Sequence, residues 1–130
     1  MPRASNLVMS PAKVLVVDDE SSLLETTAVI LQANGFEPIT ASTVPDALVH
    51  VREEPLHALL ADLSMPGDGR SVIAAMRARH PSALIVVITG HILPEAISPE
   101  VHTLADAILF KPVDIPRLLE LLHAHRPPAA

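Results

Sequence analysis

KVLVVDDE, residues 13–20, joins an aliphatic run typical of a strand directly to three consecutive carboxylates. An uninterrupted apolar run that is rich in Val predicts a strand covered on both faces, as in the centre of a parallel sheet. In open α/β sheets, ligands bind outside the carboxyl ends of the strands. We therefore expect Asp18 and Asp19 to lie at a binding crevice.

Three other strand-like runs also end on polar residues. Residues 57–61 precede Asp62, residues 84–88 precede Thr89, and residues 107–110 precede Lys111. Because the carboxyl ends of parallel strands meet at one edge of a sheet, we expect Asp62, Thr89 and Lys111 to share a rim with the first two carboxylates.

The remaining segments predict one further strand and the helices between strands. Residues 36–41 are strand-like, and Pro38 predicts an edge position because proline cannot donate a hydrogen bond to a ladder. Ser22 is predicted to cap the first helix in a capping box, with Leu23 on the apolar face, and Ser98 is predicted to cap a short helix. Alternating strands and helices predict an α/β fold with a parallel sheet and right-handed crossovers.

Composition restricts the class of protein. A chain of 130 residues without Cys predicts one domain that needs no disulfide or thiolate metal site. A net charge of −6 argues against nucleic-acid binding through a basic surface, and no apolar run approaches the ~20 residues of a membrane span. We expect a cytoplasmic domain without direct nucleic-acid or membrane contact, with residues 1–11 as a flexible leader and 126–130 as a tail or the start of a linker.

The motifs at the strand ends carry a resemblance to a known family. Asp18-Asp19, Asp62 followed by Met65-Pro66, Thr89-Gly90 and Lys111-Pro112 occur in this order. From residue 12 to residue 125, the chain resembles the receiver domain of two-component response regulators. The resemblance implies a flavodoxin-like, doubly wound sheet of five parallel strands in the order 2-1-3-4-5, with helices on both faces.

The resemblance also implies a role for each residue of the rim. Asp62 would be the phosphoacceptor, Thr89 would hydrogen-bond the phosphoryl group, and Lys111 would pair with it. The Mg²⁺ ligands that it implies are Asp18, Asp19, Asp62 and the backbone carbonyl of Ser64. It further implies a cis bond between Lys111 and Pro112. The only expected activities are Mg²⁺-dependent self-phosphorylation and autodephosphorylation at Asp62.

The chemistry of the rim supports a functional site independently. A carboxylate nucleophile that attacks phosphorus needs a divalent cation and an ammonium group to neutralise the charge on the phosphoryl oxygens. Two carboxylates about 4 Å apart repel by roughly 4 kcal/mol at an effective dielectric constant of 20, so stability alone does not explain such a cluster.

Other interpretations and several departures from the family pattern remain open. Asp18 and Asp19 are alternatively a capping pair for the first helix. The loop after Asp62 is one residue shorter than the common pattern, Ile108 replaces a frequent aromatic switch residue, and Pro99 interrupts the fourth helix. The main alternative function is a pseudo-receiver that binds partner proteins without a phosphorylation cycle. A metal-dependent phosphohydrolase is disfavoured because no second Asp follows Asp18 at the required two-residue spacing.

The resemblance implies protein partners for the domain. It predicts a sensor histidine kinase or a phosphotransfer protein as the donor, an output domain or partner protein as the target, and possible homodimers.

Overall fold

The computed structural model describes residues 11–90 and 97–125. The strands are β1 (Ala12–Val17), β2 (Phe36–Ala41), β3 (Ala58–Asp62), β4 (Leu84–Thr89) and β5 (Ala107–Phe110). The helices are α1 (Ser21–Ala33), α2 (Val44–Glu53), α3 (Gly69–Arg79), α4 (Pro99–Leu104) and α5 (Ile115–Ala124). The predicted tail 126–130 and all of the predicted leader except Pro11 lie outside the described residues. No helix within the described ranges is long and apolar enough to cross a bilayer.

The strands form one parallel sheet in the order β2-β1-β3-β4-β5. This order confirms the predicted flavodoxin-like α/β fold. Pro38 lies in the edge strand β2, as predicted. The register places Val17 opposite both Ala41 and Ala61, and Thr89 opposite Phe110. The strands therefore end at similar heights and present the residues that follow them along one rim.

Two apolar clusters cover the two faces of the sheet. Leu15 and Val17 of β1 belong to the cluster formed with α2, α3 and α4. Val14 and Val16 belong to the opposite cluster, formed with α1 and α5. Successive side chains of a strand point to opposite faces, so burial on both faces explains why β1 is apolar without alternation.

The first helix begins at Ser21, two residues before the first helical position that a cap at Ser22 would give. Its N-cap is Glu20, which makes no capping hydrogen bond through its side chain, so the predicted capping box is wrong. The Asp18 carboxylate accepts a hydrogen bond of 3.0 Å from the Glu20 N–H, and this contact fixes the turn into α1. Leu23, predicted on the apolar face, is 38% exposed. The predicted cap at Ser98 is confirmed, because its hydroxyl accepts from the Val101 N–H.

A single arginine joins several elements at the end of the sheet opposite the rim. The guanidinium of Arg77, on α3, donates to the carbonyls of Pro81 (3.1 Å), Ala83 (3.0 Å) and Leu104 (2.8 Å) and to Asp106 Oδ2 (2.8 Å). The rigid fork of donors in arginine suits such multiple acceptors. Arg77 thereby connects α3 to the segment before β4, to the last residue of α4 and to the residue before β5.

Candidate functional site

Asp62 lies at the centre of the rim as the last residue of β3 and is 4% exposed. Its Oδ1 accepts a hydrogen bond of 2.8 Å from the Ser64 N–H, and its Oδ2 accepts one of 2.9 Å from Lys111 Nζ. Asp62 and Lys111 form an ion pair in which the carboxylate is buried and the ammonium group is partly exposed.

Asp18 and Asp19 extend the negative charge of Asp62 into a cluster of three carboxylates. One oxygen from each of these three residues lies within 4.8 Å of the others. Asp18 is buried and Asp19 is exposed. The capping interpretation of this pair is wrong, because α1 begins at Ser21 and its N-cap is Glu20.

The pKa shifts at the site follow from this arrangement. Burial alone would raise the pKa of Asp62, but hydrogen bonds from Lys111 and the Ser64 N–H outweigh it and hold the pKa below its ordinary value. Burial raises the pKa of Asp18, and the neighbouring Asp62 carboxylate adds to that increase. Burial would lower the pKa of Lys111, but the contact with Asp62 raises it above its ordinary value. Asp62 is therefore ionised and Lys111 is charged at neutral pH.

The donor set at this cluster fits Mg²⁺. Three carboxylates offer hard oxygen ligands, and Mg²⁺ typically uses one or two protein carboxylates while it keeps several waters. The exposed side of the cluster, at Asp19, leaves room for such waters. A cation there would also offset the burial and the repulsion from Asp62 that together raise the pKa of Asp18.

Thr89 and Ser64 complete the rim. Thr89 is fully buried at the end of β4, and its carbonyl accepts a hydrogen bond of 2.9 Å from the Lys111 N–H. The Ser64 hydroxyl accepts a hydrogen bond of 3.4 Å from the Gly90 N–H, and this contact joins the loops after β3 and β4. The bond between Lys111 and Pro112 is cis. The structure thus brings all the predicted site residues to one edge of the sheet.

The loop after β3 is held by contacts that the sequence did not identify. Met65 is 6% exposed and belongs to the cluster on the side of α2, α3 and α4. Gly67 has a φ of 101°, and a Cβ at this position would lie 3.0 Å from Val44 Cγ2. The approach of Gly67 to Val44 brings this loop against α2. Ile108 is half-buried against the same cluster.

Comparison with known proteins identifies the relatives of this chain. A family model described as the response regulator receiver domain matches residues 14–123. A response regulator receiver protein of Anaeromyxobacter sp. (strain Fw109-5) is 36% identical over 110 residues, which cover 84% of this chain and 46% of that protein. A putative NtrX-like response regulator of Rickettsia bellii is 31% identical over 117 residues, which cover 88% of this chain and 24% of that protein. The chain thus spans less than half the length of these curated relatives.

Solved structures share the same fold. A CheY-like receiver domain protein from Methanospirillum hungatei JF-1 has a TM-score of 0.81 at 28% identity, and the match covers 88% of this chain and 93% of that one. A Burkholderia pseudomallei response regulator with a phosphorylated aspartic acid, a calcium ion and citrate has a TM-score of 0.78 at 29% identity, covering 85% and 66%. TrrA from Thermotoga maritima, in complex with Mg²⁺-BeF, has a TM-score of 0.78 at 26% identity, covering 88% and 99%.

Proposed function

Since the chain belongs to the response regulator receiver domain family, we propose that it accepts a phosphoryl group on Asp62 from a sensor histidine kinase or phosphotransfer protein. The observation that carries this proposal is the buried Asp62 carboxylate, 2.9 Å from Lys111 Nζ and beside two further carboxylates. The phosphorylated aspartic acid of the Burkholderia pseudomallei relative supports the same chemistry.

The transfer step requires no proton. An oxygen of the ionised Asp62 carboxylate forms a bond to phosphorus, and the bond between phosphorus and the donor breaks, with the electron pair leaving on the donor. The Lys111 ammonium pairs with a phosphoryl oxygen in place of Asp62 Oδ2, while the Thr89 hydroxyl donates to another. Such positioning and charge stabilisation account for most of the catalysis in phosphoryl transfer.

Asp18, Asp19, Asp62 and the backbone carbonyl of Ser64 would hold Mg²⁺. When bound, this ion supplies positive charge to the phosphoryl oxygens. The Mg²⁺-BeF complex of TrrA and the three-carboxylate cluster support this assignment. The same residues would serve autodephosphorylation, in which water attacks the phosphoryl group on Asp62.

Partner recognition is proposed for the surface beside the rim. Leu23, on the first turn of α1, is 38% exposed and close in sequence to Asp18 and Asp19, so it offers an apolar contact to a phosphoryl donor protein. The longer length of the curated relatives supports an output domain or partner protein as the target. We expect the domain to act in the cytoplasm without direct nucleic-acid contact, and homodimer formation remains a prediction.

Intact-mass spectrometry after incubation with acetyl phosphate and Mg²⁺ tests the proposal. We expect one addition of about 80 Da, the mass of a phosphoryl group that replaces a proton. Asp62→Asn should abolish the addition. Asp68→Asn is the matched control, because Asp68 is an exposed carboxylate of the neighbouring loop that pairs with Arg70, and this variant should still gain the mass.

A different outcome would favour the pseudo-receiver. Folded protein that binds Mg²⁺ and gains no mass from any phosphoryl donor would contradict the phosphoacceptor role. It would point to a module that binds partner proteins through its surface alone.

A further inference from the structure

His57 lies directly before β3 and joins it to both neighbouring strands at the end of the sheet opposite the rim. Its backbone N–H donates a hydrogen bond of 2.9 Å to the Lys13 carbonyl of β1, and its carbonyl accepts one of 3.0 Å from the Leu84 N–H of β4. Its side chain adds a third contact, because His57 Nδ1 accepts a hydrogen bond of 3.0 Å from the Lys13 N–H. The ring of this half-buried residue thus takes the place of a carbonyl where β1 and β3 begin to pair.

The donor in this third contact fixes the protonation state of the ring. A backbone N–H can only donate, so His57 Nδ1 accepts with its lone pair, and the ring is neutral with its proton on Nε2. In the imidazolium cation both ring nitrogens carry protons. Protonation of His57 therefore places two donors against each other and removes the acceptor from the Lys13 N–H.

Two other histidines make the opposite kind of contact. His80 Nε2 lies 2.8 Å from the Val51 carbonyl, and His125 Nε2 lies 2.7 Å from the Ser82 carbonyl. A carbonyl can only accept, so the ring nitrogen donates in both contacts. The imidazolium cation keeps such a donor, and protonation leaves both contacts in place. Of these three contacts, the one at His57 alone requires a neutral ring.

The charged groups around the contact form a network centred on Lys13. Around this contact, β1 contributes Lys13, β2 contributes Glu37, the segment after α2 contributes Glu54, and the segment before β4 contributes His80. The Lys13 ammonium lies 3.2 Å from Glu54 Oε1 and 4.0 Å from Glu37 Oε2. Both carboxylates are partly exposed and share this ammonium group, so water screens their attraction for a protonated ring.

We propose that the contact between the His57 ring and the Lys13 N–H is a pH-sensitive clip, which holds β1 to β3 while the ring is neutral and opens when the ring takes up a proton. The ordinary pKa of histidine is about 6.5, and the clip holds the folded domain in the neutral form, so the unfolded chain takes up this proton at a higher pH. The clip therefore contributes fully to the free energy of unfolding above about pH 6.5, and this contribution is lost as the pH falls below that value. The clip makes no use of Asp62, so it is independent of the phosphoacceptor role.

The test compares urea unfolding of wild type and His57→Asn at about pH 7.5 and about pH 5, which bracket the titration of histidine. The Asn side chain carries an oxygen at the position of Nδ1 and does not titrate, so it keeps an acceptor for the Lys13 N–H at both pH values. Loss of one hydrogen bond lowers the ratio of folded to unfolded protein about five-fold. Between the two pH values, we expect this ratio to fall about five-fold more for wild type than for His57→Asn.

His80→Gln is the matched control. The amide nitrogen of Gln lies as far along the side chain as Nε2 of histidine, so this variant keeps a donor for the Val51 carbonyl. It also removes one titrating ring from the same end of the sheet. Its stability should change between the two pH values as much as that of wild type.

An NMR titration of the wild type provides a second readout that needs no variant. The His57 ring should titrate with a midpoint below about pH 6.5. The Lys13 amide proton should shift with the same midpoint, because its acceptor is lost when the ring takes up a proton.

Several outcomes would overturn the clip. Equal changes in stability for wild type and His57→Asn would do so, as would a His57 midpoint at or above about pH 6.5. A Lys13 amide signal that does not follow the titration of His57 would also overturn it, because the ring would then not be its acceptor. Loss of the pH dependence in His80→Gln would assign that dependence to His80 instead. If His57→Asn does not fold, the titration of the wild type decides between these outcomes.

Discussion

Replacement of Lys111 by Met should destabilise the metal-free protein, because it leaves the Asp62 carboxylate buried without its partner. The Asp62 side chain is 3% exposed, whereas the Lys111 side chain is 29% exposed. Loss of one partner from a fully buried pair costs about 3–5 kcal/mol, and exposed pairs contribute about 1 kcal/mol or less. The partial exposure of Lys111 places the expected loss between these limits, at about 2 kcal/mol of the free energy of unfolding.

Lys13→Met is the matched control for this prediction. The Lys13 side chain is 27% exposed, similar to that of Lys111, and its ammonium lies 3.2 Å from Glu54 Oε1. The Glu54 side chain is 32% exposed, so its carboxylate stays hydrated when the partner is removed. We therefore expect a loss below about 1 kcal/mol.

The assay is urea unfolding followed by far-ultraviolet circular dichroism, since the chain contains neither Trp nor Tyr. The double variant with Asp62→Asn should recover most of the stability that Lys111→Met loses, because the amide needs no counter-charge. Coupling between contacting residues typically lies between about 0.5 and 3 kcal/mol. The argument that the buried Asp62 carboxylate needs Lys111 for stability would be refuted if the changes in the free energy of unfolding of Lys111→Met and Asp62→Asn were additive. It would also be refuted if Lys111→Met and Lys13→Met lost equal stability.

Three further predictions concern the metal, pH and the loop after β3. Mg²⁺ should raise the Tm of the wild type, and Asp19→Asn should remove most of that shift without lowering the Tm of the metal-free protein; a lower metal-free Tm would contradict the repulsion among the carboxylates. Burial alone would raise the pKa of Asp106. Hydrogen bonds from a β4 backbone N–H and from Arg77 outweigh this effect, so the folded-state pKa lies below the ordinary value of 3.8. The ionised Asp106 therefore stabilises the protein above pH 3.8, and this contribution is lost as the pH falls through the folded-state pKa. In acid unfolding experiments, the free energy of unfolding should fall more steeply with decreasing pH for wild type than for Asp106→Asn. Gly67→Ala should cost about 1–2 kcal/mol in urea unfolding because of its positive φ, whereas Gly69→Ala should be nearly neutral, and similar losses in both would argue against backbone strain.

The sequence predicted the sheet and the rim because both depend on local patterns. Each strand is an apolar run of a few residues, and the polar residue that ends each run is adjacent to it in the chain. Once the strands pair in parallel, their carboxyl ends lie at the same edge of the sheet, so no additional sequence signal is needed to bring the polar residues together. This is why Asp62, Thr89 and Lys111 could be predicted as neighbours, although 49 residues separate the first from the last.

Other features depend on contacts that no local pattern encodes. The start of α1 is fixed by the Asp18 carboxylate, which binds the Glu20 N–H, so a suitable capping sequence at Ser22 is not used. A cavity beside Asp62 depends on how far α1 lies from the segment after β5, and that spacing results from packing of the whole domain. Gly67 is recognisable as a turn residue, but its close approach to Val44 is visible only in three dimensions.

Arg77 anchors the C-terminal end of α4. The guanidinium holds the carbonyl of Leu104, the last residue of that helix, and also the residue that leads into β5. At the opposite end of α4, the Ser98 hydroxyl caps the helix by accepting a hydrogen bond from the Val101 N–H. The C-terminal end of this six-residue helix is therefore tied, through one side chain, to both α3 and the start of β5.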